Sequence, residues 1–493
     1  MMDTMTLLTQ VTRRTGSIPV SSWIYGALLF IVIPIGLIIV PDVPLLQPDS
    51  SSYLSFSSSR TAGYPSFLAF AQALGLGPEQ IIWLQFVIYW ASLCGLGWAL
   101  LHATKEPMLA IGAIALILLN VEISKYNFTI LTEALFISIT MLICAAIVLC
   151  IFQFRLRWAV IFSGLVGAAI AVRPIGYAFL PLLPIVGWVI FLLYRPQLKI
   201  LAAALLIPAV LGVFLEVLLF NTLQANPRIS LLGGRLFAKS AMLDVSIANP
   251  YPPSDTRHEI WSMLEADGAK VQTIINNAPD FGTKNFLATN YEVFFEYRFA
   301  RPQLIKAAKN TNLNVTDIMR EIGEKRIAAA PFTFAELVWH HYRGLWTPFT
   351  VSHPVIAARA NAYLSTVGEL PLVGAEDVLN QPVPARRIAL IIQPLLMLCW
   401  IVTVLLPIGC LIWLWRYRSL AKPWILASIF SLMINGNFLL VAIFGVGIAR
   451  YALAMWPSLI LAGTFALYAA WQHWGDLFTH KIREVSLRIY SKS

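Results

Sequence analysis

The stretch TILTEALFISITMLICAAIVLCIF, residues 129–152, is long enough to cross a bilayer as a helix, and Glu133 is its one charged residue. About 20 apolar residues span the hydrocarbon core of a membrane, because a helix rises about 1.5 Å per residue. Several other stretches match this length, and 58% of the 493 residues are hydrophobic while only 12% are charged. The sequence therefore predicts an all-α polytopic membrane protein.

Ten such spans can be placed along the chain. The first follows a pair of arginines and lacks a small-residue cleavage site, so we interpret it as an uncleaved helix rather than a signal peptide. The fifth and sixth are separated only by Arg173-Pro174. The predicted spans are 22–40, 80–101, 107–121, 129–152, 158–175, 176–194, 199–222, 388–415, 423–444 and 450–472.

Charge is distributed unevenly between the two sets of loops. With a cytoplasmic N-terminus, the cytoplasmic segments hold fourteen basic and four acidic residues, a balance of +10 that equals the net charge of the chain. Such a bias sets the orientation of multi-span proteins. We therefore expect both termini in the cytoplasm and residues 224–387 on the outer side of the plasma membrane. Because residues 224–387 contain no cysteines that could form disulfides, we expect this membrane to be bacterial. Nucleic acid is not expected as a partner, because the basic residues follow the topology instead of forming a stripe with aromatic residues.

The same pattern predicts four parts of the chain. They are an N-terminal membrane module at 1–223 with its first outer loop at 41–79, a mainly helical extracytoplasmic domain at 224–387, C-terminal membrane helices at 388–472, and a basic cytoplasmic tail at 473–493. Helical patterns within the outer domain cover 257–277, 301–328 and 333–345, the last of which is amphipathic and suits a membrane interface.

The first outer loop is the place to look for chemistry. It reads PDSSSYLSFSSSRTAGYPSFLAF, residues 48–70, with an isolated acid at Asp49, then Tyr53, Arg60 and the turn Gly63-Tyr64-Pro65. A carboxylate at the mouth of a membrane bundle costs solvation free energy unless it is paired or used. The alternative is that Asp49 only caps a short helix, which is a common role for Asp.

This pattern resembles the GT-C superfamily of membrane glycosyltransferases, which includes protein O-mannosyltransferases and the aminoarabinose transferases that modify lipid A. Three further motifs resemble the family in the same order and on the same side: Leu131-Thr132-Glu133 at the start of a span, Ala171-Val172-Arg173-Pro174 near the outer end of another, and Arg450-Tyr451 before Pro457. The resemblance covers roughly 20–222 and 388–472. The outer domain at 224–387 matches nothing specific.

The resemblance implies a GT-C-like helical bundle and a reaction. A sugar linked to polyprenyl phosphate would pass, with inversion, to an acceptor lipid, glycan or protein on the extracytoplasmic face, within the surrounding membrane lipids. It implies that Asp49 is the general base, and that Glu133 is a second acid that orients the acceptor or holds a metal. Some members use a divalent ion near the first-loop acid, so a divalent metal near Asp49 is a possible cofactor.

The chemistry of the donor sets a further demand. Phosphate is already a good leaving group and needs no acid to protonate it, but it does need fixed positive charge. Arg173 has an alternative role, since it could hold the Glu133 carboxylate in place. A further alternative is that the arginines only extend their long side chains to the membrane interface. The expected donor-binding residues are Tyr53, Arg60, Tyr64, Arg173, Arg235, Lys239, Arg450 and Tyr451.

Three other functions stay open at this point. A transporter or lipid flippase is usually built from matched halves, and none is visible here. An outer-face polymerase of polysaccharide repeat units would tolerate the loss of Asp49 better than a transferase, and an assembly protein would need no chemistry. Asp49 is followed by Ser50 and not by a second acid, a departure that disfavours oligosaccharyl transfer and a strongly bound metal. The sugar, the acceptor, the oligomeric state and the role of the outer domain are not determined by the sequence.

Overall fold

The computed structural model is helical throughout the part of the chain that it describes. That part comprises residues 44–47, 49–118, 120, 123, 125–347, 354–369, 383–417, 421–445 and 449–490. The predicted first span at 22–40 lies outside it. A single β-bridge, between Leu45 and Thr129, is the only extended pairing within these ranges.

Nineteen α-helices are described, together with two short 3₁₀ helices at Lys125–Phe128 and Pro174–Phe179. In chain order they are α1 Ser50–Leu54, α2 Gly63–Ala73, α3 Pro78–Thr104, α4 Pro107–Leu118, α5 Thr132–Phe152, α6 Leu156–Val172, α7 Leu182–Tyr194, α8 Leu198–Leu223, α9 Leu232–Ala241, α10 Thr256–Asn276, α11 Phe281–Tyr297, α12 Arg301–Thr311, α13 Val315–Ala329, α14 Pro331–Leu345, α15 Pro354–Thr366, α16 Val383–Tyr417, α17 Lys422–Phe444, α18 Ala449–Leu453 and α19 Trp456–Tyr490.

Six helical segments in the described ranges are long and apolar enough to cross a membrane. They are α3, α5, the 174–194 segment, α8, the 395–414 part of α16, and α17, and each coincides with a predicted span. The helices α4 and α6 are apolar but shorter. The prediction of an all-helical chain with several membrane-crossing helices is confirmed, whereas the count of ten and the outer position of 224–387 remain predictions.

The break between the fifth and sixth predicted spans has a local cause. A residue that precedes proline is disfavoured in the helical region, because the proline ring clashes with its backbone. Arg173 accordingly has an extended backbone, with φ −155° and ψ 134°, and ends α6. Pro174 then opens a 3₁₀ turn, which leaves the Arg173 side chain at the end of the helix.

Close packing in the bundle depends on small residues. A Cβ on Gly212 of α8 would lie 2.7 Å from the Cα of Gly167 on α6, so the two backbones touch. Membrane helices commonly pack through such small-residue contacts. Ser163 of α6 accepts a hydrogen bond from the backbone N–H of Ala209 at 3.0 Å, next to Pro208 inside α8. These contacts join α6 and α8 into one rigid pair.

The described residues form two hydrophobic cores. The first lies within the bundle, and Tyr342 and Leu345 of α14, with Trp346 directly after this helix, contribute to it. The second is formed by α9–α13 and α15. The predicted helices at 257–277 and 333–345 correspond to α10 and α14, while the predicted helix 301–328 is divided at Asn312, which has a positive φ of 54°. Contacts of α9 and α14 with α17 join residues 224–387, called the outer domain here after their predicted position, to the bundle.

Candidate functional site

Asp49 lies just before α1, at the position of a helix cap, but its side chain makes no capping hydrogen bond. The carboxylate is instead held between two guanidinium groups. Its Oδ1 lies 2.7 Å from Nη2 of Arg60, and its Oδ2 lies 2.6 Å from Nη2 of Arg450. Asp49 therefore acts as an ion-pair partner in a polar site and not as a helix cap.

The first outer loop is organised around Arg60. Its Nε donates to the Ser52 hydroxyl at 2.9 Å, and its Nη1 donates to the Tyr53 hydroxyl at 3.2 Å. The Ser52 hydroxyl in turn donates to the backbone carbonyl of Asp49 at 2.6 Å. The guanidinium also lies 4.5 Å from the centre of the Tyr53 ring. Arg60 thus fixes the loop, and with it the direction of the Asp49 carboxylate.

Tyr64 packs against the buried side of this loop. It is fully buried, packs edge-on against Tyr53 with ring centres 5.4 Å apart, and donates to the Gln85 side chain at 2.7 Å. Gln85 donates in turn to the carbonyls of Asn127 and Thr129. The Tyr64 hydroxyl is therefore used in packing, one layer behind the carboxylate.

Glu216, an acidic residue on α8, holds the first outer loop in place. Glu216, which is buried, accepts a hydrogen bond from the backbone N–H of Ala62 at 2.9 Å and pairs with Arg228 at 2.5 Å. Thr61 donates to the carbonyl of Val172 at the end of α6, at 2.9 Å. Sequence reasoning missed Glu216, although a lone acid inside an apolar span is itself a signal that it is paired.

Glu133, at the start of α5, forms the deeper half of the site. Its side chain is 1% exposed, and its Oε1 lies 3.0 Å from Nη2 of Arg173 and 3.4 Å from Nε of Arg450. The Thr132 hydroxyl donates to its Oε2 at 3.2 Å. The prediction that Arg173 holds Glu133 is confirmed as a contact.

Arg450 joins the two halves, because one guanidinium reaches both Asp49 and Glu133. Beside it, the ring of Tyr451 lies 4.5 Å from the guanidinium carbon of Arg173. The charges of Arg173, Arg450 and Arg235 all act on the Tyr451 hydroxyl. Three arginines from α9, the end of α6 and α18 therefore converge on one phenol.

The charge state of Asp49 follows from its neighbours. Burial alone would raise the pKa of its carboxyl, but the charges and hydrogen bonds of Arg450 and Arg60 outweigh this and hold the pKa below its ordinary value. The Asp49 side chain is still 30% exposed. It is thus a carboxylate that solvent or a ligand can reach.

The outer domain places a second ionic cluster next to the first. Arg235 and Lys239 of α9 face Glu296 and Glu292 of α11, at 2.8 Å and 2.7 Å respectively. Lys239 is fully buried, so the structure brings Arg235 to the site and leaves Lys239 apart from it. Tyr297 lies beside Glu296 and within electrostatic range of Asp49. Sequence reasoning missed Glu292 and Glu296. Their spacing of four residues equals that of Arg235 and Lys239, and this match could have indicated the two ion pairs.

A divalent metal does not fit this arrangement. Asp49 and Glu133 share the guanidinium of Arg450, and each already lies against two guanidinium groups. Within the described ranges, no group of three or more His, Cys, Asp or Glu side chains could hold a metal ion. A site dominated by fixed cations instead favours an anionic ligand.

Comparison with models of protein families, with curated proteins and with solved structures found no match for this chain. The similarity to GT-C glycosyltransferases thus rests on the motifs quoted above. Of the predicted site residues, the structure brings together Asp49, Tyr53, Arg60, Glu133, Arg173, Arg235, Arg450 and Tyr451, with Tyr64 behind them.

Proposed function

We propose that this protein is a membrane glycosyltransferase that moves a sugar from a polyprenyl-phosphate donor to an acceptor on the extracytoplasmic face. The observation that carries the proposal is the position of Asp49, a reachable carboxylate held between Arg60 and Arg450 at the meeting point of the bundle and the outer domain. A transferase of this kind needs a base beside the acceptor and fixed cations beside the leaving phosphate.

The charges of the site support a phosphate ligand. Each of the four arginines pairs with a carboxylate, but only three carboxylates are shared among them, so these groups carry a net charge of +1. A sugar linked through one phosphate to a lipid is a phosphodiester with a single negative charge. The donor phosphate is expected over Tyr451, within reach of Arg173, Arg235 and Arg450, because these three act on that phenol.

The apolar surface of two candidate spans suits a lipid donor. Of the candidate spans, α8 and α16 are covered least by the rest of the protein, with 28% and 17% of their apolar windows buried. Their remaining apolar surface is available to lipid chains, in keeping with a ligand that enters from the bilayer rather than from water.

In the proposed step the acceptor oxygen attacks the anomeric carbon of the donor sugar. The bond from that carbon to the phosphate oxygen breaks, polyprenyl phosphate leaves, and the acceptor proton passes to Asp49. Asp49 becomes an effective base only when one of its oxygens is released from a guanidinium. A donor phosphate that attracts Arg450 would release Oδ2, so that donor binding prepares the base.

The test is a transfer assay in reconstituted vesicles, with a panel of polyprenyl-phosphate sugars and release of polyprenyl phosphate as the readout. Asp49→Asn is expected to lower the rate about 10²- to 10⁴-fold, the usual contribution of a general base. Asp267→Asn, which changes an exposed acid on α10, is the matched control and should leave the rate unchanged.

Two outcomes would contradict the proposal. Equal turnover by the native protein and Asp49→Asn would remove Asp49 from the mechanism and favour a polymerase that relies on the outer arginines. Absence of turnover with every donor, together with movement of lipid across the bilayer, would favour a transporter.

A further inference from the structure

Two ion pairs between α9 and α11, called the charge ladder below, connect the outer domain to the site. Arg235 and Lys239 are four residues apart on α9, and their partners Glu296 and Glu292 are four residues apart on α11. Three of the four side chains are at most 3% exposed, and Arg235 is 15% exposed. The charged end of Arg235 is thus the one cation of the ladder that a ligand at Tyr451 can meet.

Close backbone packing fixes the position of α9, and with it the position of Arg235 and Lys239. A Cβ on Gly233 would lie 2.0 Å from the carbonyl oxygen of Thr316 on α13, and one on Gly234 would lie 3.2 Å from Cγ of Glu296. The helix α9 therefore lies directly against α13 and α11. Buried ion pairs contribute little net stability, because the loss of hydration offsets their attraction. A fixed, buried ladder of this kind is better explained by what it presents to the site.

Each arginine at the site already has a carboxylate partner, so a phosphate must displace one. Asp49 and Glu133 each lie against two guanidinium groups, whereas among the described residues Glu296 forms an ion pair with Arg235 alone, beside Tyr297. Burial raises the pKa of the Glu296 carboxyl to about 7, although the charge of Arg235 opposes this. Glu296 is therefore the partner that one proton can neutralise near neutral pH.

The charged and titratable groups around Glu296 can be named by helix. The helix α9 provides Arg235 and Lys239, and α11 itself provides Glu292 and Tyr297. His341 of α14 lies 3.5 Å from Glu292, and α13 presents the uncharged side chain of Met319. Tyr451 of α18 acts on Arg235 from the other side.

Resting on the proposed function, we propose that Glu296 is the exchangeable partner of Arg235, and that binding of the donor phosphate moves Arg235 from Glu296 to the phosphate while Glu296 takes one proton from solvent. The proton removes the negative charge that the Glu296 carboxylate would otherwise keep without its guanidinium partner. Glu296 is in this sense a positioning residue, since it acts through Arg235 and touches no reacting atom.

The sign of the pH dependence follows by linkage. The free protein has Glu296 ionised above pH 7 and the complex has it protonated, so binding takes up a proton in that range. The affinity for the donor should fall about tenfold for each pH unit above 7 and should be nearly constant below it.

The experiment uses the full chain in nanodiscs and undecaprenyl methyl phosphate, a phosphodiester with one fixed negative charge. Calorimetry at pH 8 in two buffers of different ionisation enthalpy measures the protons taken up on binding. We expect about one proton for the native protein and none for Glu296→Gln, whose affinity should also lose its dependence on pH. Glu292→Gln, one turn away on the same helix, is the matched control and should keep the uptake.

The outcomes separate this inference from the proposed function. If the native protein binds the phosphodiester without proton uptake, the exchange at Glu296 is wrong and the proposed function stands. If the native protein does not bind it at any pH, the donor class itself is wrong. Because proton uptake and the pH dependence are measured on the native protein, the test does not rely on the variants folding. Loss of uptake in Glu292→Gln but not in Glu296→Gln would also overturn the assignment.

Discussion

At the scale of single residues, the site is unusual in how its carboxylates are compensated. Glu133 is buried at the start of a membrane helix and has two guanidinium neighbours, Arg173 and Arg450, from two other parts of the chain. A buried carboxylate of this kind depends on its partners, and they depend on it, because an uncompensated charge in a poorly solvated site is costly.

The first prediction concerns this dependence. Glu133→Gln keeps the shape of the side chain but leaves Arg173 without its counter-charge, so unfolding should become easier by about 3–5 kcal/mol. The double variant Glu133→Gln with Arg173→Met should recover part of this loss, because it removes the buried charge as well. Denaturant unfolding in nanodiscs measures both. Glu79→Gln, at an exposed acid, should stay within about 0.5 kcal/mol of the native protein, and equal effects of Glu79→Gln and Glu133→Gln would show that the pairing is unimportant.

At the scale of helices, the first outer loop is positioned by the contact of α2 with the end of α6. A Cβ on Gly63 would lie 2.6 Å from the carbonyl oxygen of Ala171, so only glycine permits this approach. The neighbouring Ala62 and Thr61 make the hydrogen bonds to Glu216 and Val172 that hold the loop. The direction of the Asp49 side chain therefore depends on the contact between Gly63 of α2 and Ala171 of α6.

The second prediction tests this contact. Gly63→Ala must push α2 away from α6, which should cost about 1–3 kcal/mol as overpacking and should also lower transfer because the loop moves with the helix. Gly112→Ala in α4 is the matched control, since a Cβ there meets nothing within 4 Å. It should stabilise the helix by about 0.5–1 kcal/mol and leave transfer intact. A Gly63→Ala protein with native activity and native stability would contradict the role given to this contact.

Helix patterns explain which parts of the site were predictable. Asp49 and Arg60 were both assigned to the site from their loop motif, and the Glu133–Arg173 contact was one of the alternatives given for Arg173, whereas the ion pair between Asp49 and Arg60 was not predicted. Glu296 and Tyr297 were not assigned to the site, because what they touch depends on how α11 packs on α9, and no local pattern fixes that packing. Lys239 was grouped with Arg235 from their spacing, but the ladder buries it against Glu292. Spacing placed both on one face, yet only tertiary structure decided which one reaches the site.

At the scale of the whole molecule, function would be divided between the two cores. The bundle contributes Asp49, Glu133, Arg173 and Arg450, whereas the outer domain contributes Arg235 through a ladder of its own. The predicted number of spans follows from the lengths of the apolar stretches, and the predicted side of the outer domain follows from the charge bias of the loops.

The third prediction concerns this orientation. With the bias toward a positive cytoplasmic face, Lys309→Cys in the outer domain should react with a membrane-impermeant maleimide on intact cells. Arg155→Cys, in the loop between α5 and α6, should react only after the membrane is permeabilised, and both positions are exposed. Gel-shift labelling, with the unmodified protein as the background for its five cysteines, measures the difference. The opposite labelling pattern would invert the topology and place the proposed site on the cytoplasmic side.

The contact between Asp49 and Arg450 joins residues that are 401 positions apart. A ribosome that adds roughly 5–20 residues per second needs about 20–80 s to make the second after the first. During that interval the nascent chain has Asp49 and Glu133 each with one guanidinium fewer than in the finished protein. If the proposed function holds, a partly synthesised chain lacks one of the arginines assigned to the donor phosphate, so transfer of sugar is expected to begin only after Arg450 has been made.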